Sequence, residues 1–329
     1  MSGPFAGGQF SQGLMRSYLS FEQPVADVDA RIDEMKALTE GSPAIVEEIA
    51  KLEARSAKML ADLYATLTPW QKTQVARAQG RPHFADYVKA LFADFTPLAG
   101  DRHYGEDAAI VGGLGRFRGQ RVCVIGHEKG DDTASRLAHN FGMARPEGYR
   151  KAARLMELAD RFELPLITLI DTAGAWPGID AEERGQAEAI ARATDAGLSL
   201  GSPSVAVIVG EGGSGGALAI AASSKVLMLE HSIYTVASPE AAASILWRDS
   251  SRAQDAATSM KITATDLMRF GIIDGVVPEP LGGAHRDPAG AVESAGRSIA
   301  EALDSLAGLS REALREARAA KFLAIGRKL

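Results

Sequence analysis

The stretch of sequence that decides the fold runs over residues 205–222 and reads VAVIVGEGGSGGALAIAA. Its β-branched beginning predicts a buried strand, and its small-residue end predicts a helix. Five glycines and one serine join the two. Glycines leave the backbone N–H groups at the helix start unshielded, and the helix dipole adds positive potential there. The stretch therefore predicts a strand–loop–helix unit that holds negative charge, whether a phosphate, a carboxylate or an oxyanion.

Further strands and a helix flank this unit. Leu166–Ile170 and Val226–Leu229 both read as buried strands. Between them, Asp180 and Glu183 have the spacing of a capping box, which predicts a helix from there to about Leu200. Strands that alternate with helices predict an α/β fold, with a core sheet and helices on its faces. Ligands bind such proteins where strand ends lie side by side.

The segments on either side of this core follow other patterns. Apolar runs at Ala108–Val111 and Arg121–Ile125, with Gly119 in the turn, predict a hairpin, and Pro146–Phe162 reads as a helix. Residues 25–68 carry one apolar helical stripe, which predicts an arm that packs on its own chain or binds a partner. We therefore predict four regions: a flexible tail at 1–20, an N-terminal helical region at 21–97, the core at 98–288 and C-terminal helices at 289–329.

The composition excludes several classes of function. The net charge of −6 on 329 residues gives no general argument for binding nucleic acid. The single cysteine, Cys123, lies in an apolar run, so we expect a buried thiol in a reducing compartment. One cysteine and six scattered histidines give no metal-ligand spacing. No apolar run reaches the ~18 residues of a membrane span, and no signal pattern opens the chain, so we expect a cytoplasmic protein without a membrane segment.

The glycine loop fits three kinds of site, of which the first is a dinucleotide fold. Gly210, Gly212 and Gly215 match G-x-G-x-x-G, and Glu230 ends the next strand as the candidate ribose-binding acid. The match is weak because a five-glycine loop produces this spacing easily. The carboxylate of Glu211 would also face the pyrophosphate.

The other two kinds of site are a serine hydrolase and an oxyanion hole. Residues 212–216 match G-x-S-x-G, and His231 or His285 with an acid would complete a triad with Ser214. We favour a simpler role in which the Ser214 hydroxyl caps the helix. In an oxyanion hole, two successive glycine N–H groups bind an enolate or a developing alkoxide, and no side-chain nucleophile is needed.

A second glycine-bearing strand end sharpens the choice. Residues 170–178 read IDTAGAWPG and follow the strand at 166–170. Asp171 is a candidate base, although a role in bonding backbone N–H groups is favoured. Trp176 either covers a flat ligand or anchors the loop. Substrate contacts are predicted from both loops, at Gly174, Ala175, Trp176, Gly212 and Gly213.

Four blocks of sequence together resemble one known family. They are GHEKGDDTASRLAHNFGMARPEGYRKAARLM at 126–156, DTAGAWPGIDAEERGQAEAIAR at 171–192, GEGGSGGALAI at 210–220 and PEPLGGAHRDP at 278–288. They are similar to the alpha subunits of bacterial acetyl-coenzyme A carboxylase carboxyltransferase. The resemblance runs from about residue 20 to about residue 325. It departs at Ala173, where the family usually has proline, and at Trp176, where it usually has tyrosine.

The resemblance implies a fold and a half-reaction. The fold would be an α/β, crotonase-like core of stacked ββα units from the ClpP/crotonase superfamily, with N-terminal and C-terminal helical extensions. Carboxybiotin on a carrier protein would donate its carboxyl group to acetyl-CoA, giving malonyl-CoA for fatty acid synthesis. Two oxygens gain charge, so the family uses two oxyanion holes, one on each of two related subunits. By resemblance, Gly215 and Gly216 would stabilise the oxyanion derived from biotin.

The resemblance also implies partners. A beta subunit, in an alpha2beta2 assembly, would hold the enolate of acetyl-CoA and carry a zinc ribbon, while this chain would bind no metal. The biotin carboxyl carrier protein and biotin carboxylase would complete the system. Two alternatives stay open at this point. One is a stand-alone crotonase-type acyl-CoA hydratase or hydrolase, and the other is a scaffold subunit whose glycine loop only packs.

Overall fold

A computed structural model describes residues 17–38 and 43–327. The first sixteen residues of the predicted tail at 1–20 lie outside these ranges. Four helices open the described part of the chain, strands and helices are interspersed through its middle, and two helices close it. The helices are α1 Gln23–Leu38, α2 Pro43–Tyr64, α3 Pro69–Ala76, α4 Phe84–Leu91, α5 Thr133–Ala138, α6 Pro146–Arg161, α7 Ile179–Glu183, α8 Gln186–Ser199, α9 Ser214–Ala221, α10 Pro239–Trp247, α11 Ala253–Met260, α12 Ala264–Arg269, α13 Pro288–Asp304 and α14 Arg311–Ala324.

The strands of the described ranges form one eight-stranded sheet, in the order β1-β2-β3-β4-β5-β6-β8, with β7 paired to β5. The pairs β1–β2 and β2–β3 are antiparallel, and the remaining pairs are parallel. The strands are β1 Phe92–Pro97, β2 Ile110–Phe117, β3 Gln120–His127, β4 Leu166–Thr172, β5 Ser204–Gly213, β6 Lys225–Leu229, β7 Ile233–Thr235 and β8 Gly275–Val277.

Alternation along the strands divides the core between the two faces of the sheet. On β4, Ile170 packs with α6, α8 and α9, whereas Leu169 packs on the opposite face with α4 and α13. Both faces of a parallel strand are therefore covered, which is why these strands read as continuous apolar runs. The parallel strands end beside one another, and the glycine loop is the end of the central one.

Several elements lie where the sequence predicts them. The hairpin forms from β2 and β3, and Gly119 in its turn has a φ of +84°, which glycine adopts without steric cost. The helix predicted over Pro146–Phe162 is α6, and the predicted strands are the cores of β4, β5 and β6. Cys123 is fully buried, as expected for a core thiol.

The helix predicted from Asp180 to Leu200 is in fact two helices. α7 ends at Glu183, Gly185 adopts a φ of +81°, and α8 begins one residue later. Asp180 lies inside α7 and caps nothing. Its carboxylate instead accepts hydrogen bonds from Trp176 and Arg145. The capping-box prediction was wrong because these side chains compete for the acid.

The N-terminal region packs against the core through buried charges. Arg81 forms a bidentate ion pair with Glu279, at 2.8 and 2.9 Å, and Glu22 accepts from Arg286 at 3.0 Å. The region also contains a strand, because β1 pairs with β2. The boundaries proposed at 97/98 and 288/289 stay predictions.

In the described ranges, no helix combines the length and the apolar character needed to cross a membrane.

Candidate functional site

The site is built around the start of α9. Gly213 is the N-cap residue, and no side chain caps the helix. The first N–H groups of a helix have no partner within the helix, so this end presents backbone donors and the positive end of the dipole; the Gly216 N–H points toward the buried ring of His127. Ser214 has a φ of +57° and an exposed side chain. The predicted capping role of Ser214 is therefore wrong, since the backbone turns in the left-handed region and carries the hydroxyl away from the N–H groups.

Most glycines of the loop are required by close packing. A Cβ on Gly216 would lie 2.7 Å from the backbone of Gly174 and Ala175, and one on Gly212 would lie 2.9 Å from the ring of Tyr234. Gly213 has even less room against the Ala173 carbonyl. At Gly215, a Cβ would meet only Ile190, at an ordinary 3.4 Å. Gly215 is thus the position in this turn where a side chain would fit without moving the backbone.

The second predicted loop lies directly against this helix start. The Thr172 hydroxyl donates to the Gly174 carbonyl at 2.8 Å and accepts from the Gly174 N–H at 3.1 Å, which fixes the loop. The close approach of Gly216 to Gly174 and Ala175 brings the two strand ends together. The two glycine-bearing strand ends that the sequence analysis singled out therefore lie side by side, and their contact with substrate stays a prediction.

Trp176 is the loop's anchor. Its indole N–H donates to Asp180 at 3.1 Å, and its backbone N–H donates to the Ala144 carbonyl at 3.0 Å. The Arg145 guanidinium lies over the ring, 4.7 Å from its centroid. These contacts hold a half-buried ring in one orientation at the rim of the site. Of the two roles considered for Trp176, they favour the anchor, and the aromatic face is already occupied by a cation.

A tyrosine that the sequence analysis missed lies under the site. The hydroxyl of Tyr149, on α6, is buried and has no hydrogen-bond partner among the described residues. It lies 2.8 Å from the point where a Cβ on Gly216 would stand. Burial raises the pKa of Tyr149, so the hydroxyl keeps its proton and is a donor. The sequence block at 126–156 contains Tyr149, but only the tertiary fold places its hydroxyl beside Gly216.

A buried charge network at the ends of β4 and β5 was also missed. The Asp171 carboxylate accepts from the Lys129 ammonium at 2.7 Å and from the Glu211 N–H at 2.9 Å, and Arg77 donates to the Glu211 carboxylate at 2.6 Å. Burial acts to raise the pKa of Asp171, but Lys129 and His83 outweigh it and hold that pKa well below its ordinary range. Asp171 is therefore a fixed anion that organises the strand ends, in keeping with its favoured role, and is a poor general base.

The geometry of the described residues does not fit the dinucleotide hypothesis or the hydrolase hypothesis. β5 continues to Gly213, and Gly212 pairs with both Thr172 and Tyr234, so part of the glycine pattern is strand rather than phosphate-binding turn. Among the described residues neither candidate histidine is hydrogen-bonded to Ser214. His231 packs edge-on against the ring of Tyr64, with centroids 5.3 Å apart. Burial lowers the pKa of His285 to about 4.

Within the described ranges, no three His, Cys, Asp or Glu side chains gather as a metal-ligand set.

The chain resembles known proteins over nearly its whole length. Residues 18–326 match the family described as acetyl co-enzyme A carboxylase carboxyltransferase-like. The acetyl-coenzyme A carboxylase carboxyl transferase subunit alpha of Azorhizobium caulinodans is 67% identical over 317 residues, which are 96% of this chain and 100% of that protein.

Solved structures with the same fold are more distant in sequence. A transcarboxylase 12S structure superimposes with a TM-score of 0.55 at 19% identity, over 67% of this chain and 40% of that one. The beta subunit of P. aeruginosa geranyl-CoA carboxylase gives a TM-score of 0.54 at 19% identity, over 75% and 46% of the two chains. The predicted crotonase-like α/β fold is confirmed. The chain belongs to the family of alpha subunits of the acetyl-coenzyme A carboxylase carboxyltransferase.

Proposed function

We propose that this chain is the half of a carboxyltransferase that stabilises the biotin side of the reaction, in which the carboxyl group of carboxybiotin passes to acetyl-CoA and malonyl-CoA is formed. The observation that carries the proposal is the start of α9, which lacks a side-chain cap and lies against the loop at Gly174 and Ala175. Family membership supports the reaction, and the geometry supports the division of labour.

The residues at this helix start fit a biotin-derived oxygen. Bound carboxybiotin supplies the carboxyl group and a ureido oxygen that gains negative charge as that group leaves. Gly215 and Gly216 would donate their backbone N–H groups to this oxygen, and the positive end of the helix dipole would add to the attraction. The hydroxyl of Tyr149 supports the assignment, because this buried donor has no acceptor among the described residues and could donate to an oxygen of a bound anion.

The remaining predicted residues would shape the site. Gly174 and Ala175 would form one wall, close to Gly216, and Trp176 would fix the rim through Asp180. The tight packing of Gly212 and Gly213 would hold the two strand ends at a set separation. Preorganised donors of this kind contribute about 2.7–4 kcal/mol each to transition-state stabilisation in other enzymes.

The reaction needs a second charge-stabilising site, which we assign to a partner. Proton loss from the acetyl methyl leaves charge on the thioester oxygen, and the low pKa of Asp171 makes this candidate base a poor one. A beta subunit carrying zinc would hold acetyl-CoA in an alpha2beta2 assembly. The biotin carboxyl carrier protein and biotin carboxylase would supply the carboxyl donor, and a cytoplasmic location belongs to the same proposal.

The experiment compares the chain alone with the chain plus its beta subunit. Malonyl-CoA decarboxylation coupled to biotin carboxylation should require both proteins. Full exchange by this chain alone would refute the division of labour. Turnover of enoyl-CoA or acyl-CoA by the chain alone would favour the hydratase or hydrolase alternative. Unchanged activity after disruption of the α9 start would favour the scaffold alternative.

A further inference from the structure

A second concave site lies on the outer side of α6, lined by residues other than those of the glycine loop. Its volume is about 260 Å³. Its walls come from the loop after residue 100, from one face of α6 and from α8. The lining consists of four arginines, one histidine, two acids and an alanine: Arg102, Arg150, Arg154, Arg192, His103, Asp101, Glu157 and Ala153.

Two of these arginines have no acidic partner in the part of the chain that the structure describes. Arg154 donates to the backbone carbonyls of Leu98, Ala99 and Gly100 at 3.1–3.2 Å, and forms no ion pair with a described residue. Arg102 likewise pairs with no described acid. Burial and the neighbouring charge of Arg102 lower the pKa of Arg154. The two guanidinium groups therefore repel each other, and an anion between them would relieve the repulsion.

The buried acid in the pocket lining, Asp101, is ionised and already has hydrogen-bond donors around it. The Asp101 carboxylate accepts from the N–H groups of His103, Tyr104 and Gly105 at 2.8–2.9 Å and from Arg150 at 2.8 Å. Burial acts to raise the pKa of Asp101, but these donors outweigh it and hold that pKa well below its ordinary range. The negative charge of Asp101 is thus balanced by these donors, which weakens its electrostatic repulsion of an anionic ligand. Glu157, on the exposed rim, is the remaining opposing charge.

The loop holds Arg102 at the pocket by a strained backbone. Arg102 has a φ of +66°, a conformation that residues with a Cβ adopt at a cost. Three backbone N–H bonds to Asp101, directly before it, support this turn. Strained residues held by surrounding bonds cluster at ligand sites.

From these observations we propose that the pocket binds a phosphate or diphosphate group, with Arg102 and Arg154 as the principal donors and His103 and Arg192 at its rim. Guanidinium groups suit phosphate because they carry several N–H donors and a fixed positive charge. On Arg154 the Nη1 group is the one left for a ligand, since Nε and Nη2 donate to backbone carbonyls. The volume exceeds the needs of a single small anion and falls just below the usual range for small-molecule pockets, which favours a diphosphate. The site is separate from the α9 start, and the proposal stands whether or not the proposed function does.

The test is isothermal titration calorimetry of the full chain with sodium pyrophosphate at constant ionic strength. Pyrophosphate should bind with a Kd below about 1 mM, and added NaCl should weaken it. The key variant is Arg102→Asn, because asparagine tolerates a positive φ and the fold should be kept. It should weaken binding about 10-fold or more. The matched control is Arg297→Ala, which removes one positive charge from an exposed pair on α13 and should leave binding unchanged.

Three competitors identify the source of the phosphate. Displacement of pyrophosphate by coenzyme A but not by dephospho-coenzyme A or ADP would assign the site to a sugar phosphate. Displacement by ADP would assign it to a nucleotide diphosphate. Displacement by none of the three would assign it to an inorganic anion. Each of these results supports the site if it depends on Arg102. Failure of pyrophosphate to bind at ~1 mM, or equal binding by wild type, Arg102→Asn and Arg297→Ala, would overturn it. A melting curve for each variant ensures that a loss of binding is not a loss of fold.

Discussion

The oxyanion assignment can be tested by removing one N–H group without removing any packing. Proline at Gly215 deletes the backbone donor, and the first turn of a helix tolerates proline. Alanine at Gly215 keeps the donor and adds a methyl group that meets only Ile190 at 3.4 Å. Both changes belong in a Ser214→Gly background, because the residue before proline avoids the left-handed region that Ser214 now occupies.

The two variants should differ in activity far more than in stability. Loss of one oxyanion donor lowers kcat about 100- to 1000-fold in other enzymes, or roughly 2.7–4 kcal/mol. We expect a loss of that order for Gly215→Pro. Gly215→Ala should stay within about tenfold of the background enzyme, because its N–H group remains, and alanine should add up to ~1 kcal/mol of helix stability. The assay is malonyl-CoA and biotin exchange with the beta subunit present.

Gly216→Ala provides the packing comparison. Its Cβ would stand 2.7 Å from backbone atoms that cannot yield cheaply. Overpacking costs about 1–3 kcal/mol and helix propensity returns up to ~1 kcal/mol, so a net loss of up to about 2 kcal/mol and a fall in Tm of up to roughly 8 °C are expected. A folded, assembled Gly215→Pro enzyme with the kcat of Gly215→Ala would refute the oxyanion reasoning.

Three further changes test other parts of the structure. Burial lowers the pKa of His127 to about 3, so below pH 6.5 this residue binds more protons in the unfolded chain than in the folded one. Its contribution to the free energy of unfolding should fall by about 2 kcal/mol between pH 6.5 and 5. An equal pH dependence of the free energy of urea unfolding in wild type and His127→Gln would contradict this. Glu279→Gln leaves Arg81 buried without its counter-charge and should cost about 3–5 kcal/mol in urea unfolding, against about 0.5 kcal/mol or less for Arg297→Ala; similar losses in the two variants would contradict the role of burial. Ser214→Gly relieves a positive φ and should raise the free energy of unfolding by about 1 kcal/mol without loss of turnover; covalent labelling of wild-type Ser214 by a fluorophosphonate would show a nucleophile instead.

Periodicity in the sequence was sufficient to predict the central strands of the sheet, although not β1, β7 or β8. Strands covered on both faces read as apolar runs, and the glycine loop marked the end of β5. Side-chain patterns were less reliable at helix ends. The Asp180–Glu183 spacing suggested a cap, but Arg145 and Trp176 take the Asp180 carboxylate instead. A local pattern cannot register such competition from other elements.

The candidate site was only partly predictable for the same reason. The two loops could be paired because parallel strands end at one edge of the sheet. Tyr149 could not be recognised, since its importance lies in a hydroxyl that the fold buries without a partner. The charge network could not be recognised either, because Arg77 and Glu211 are 134 positions apart. The conformation of Ser214 is likewise set by its surroundings and not by its own preference.

The ion pairs that join the N-terminal region to the core constrain when folding can finish. Glu22 and Arg286 are 264 positions apart, and Arg81 and Glu279 are 198 apart. At synthesis rates of about 5–20 residues per second, each early residue waits on the order of 10–50 s on the ribosome for its partner. During that time the N-terminal region has no ionic partners for Glu22 and Arg81, which are both buried in the folded chain. Native docking of the N-terminal region is therefore a late event in synthesis, and a chain that stops before Glu279 cannot complete it.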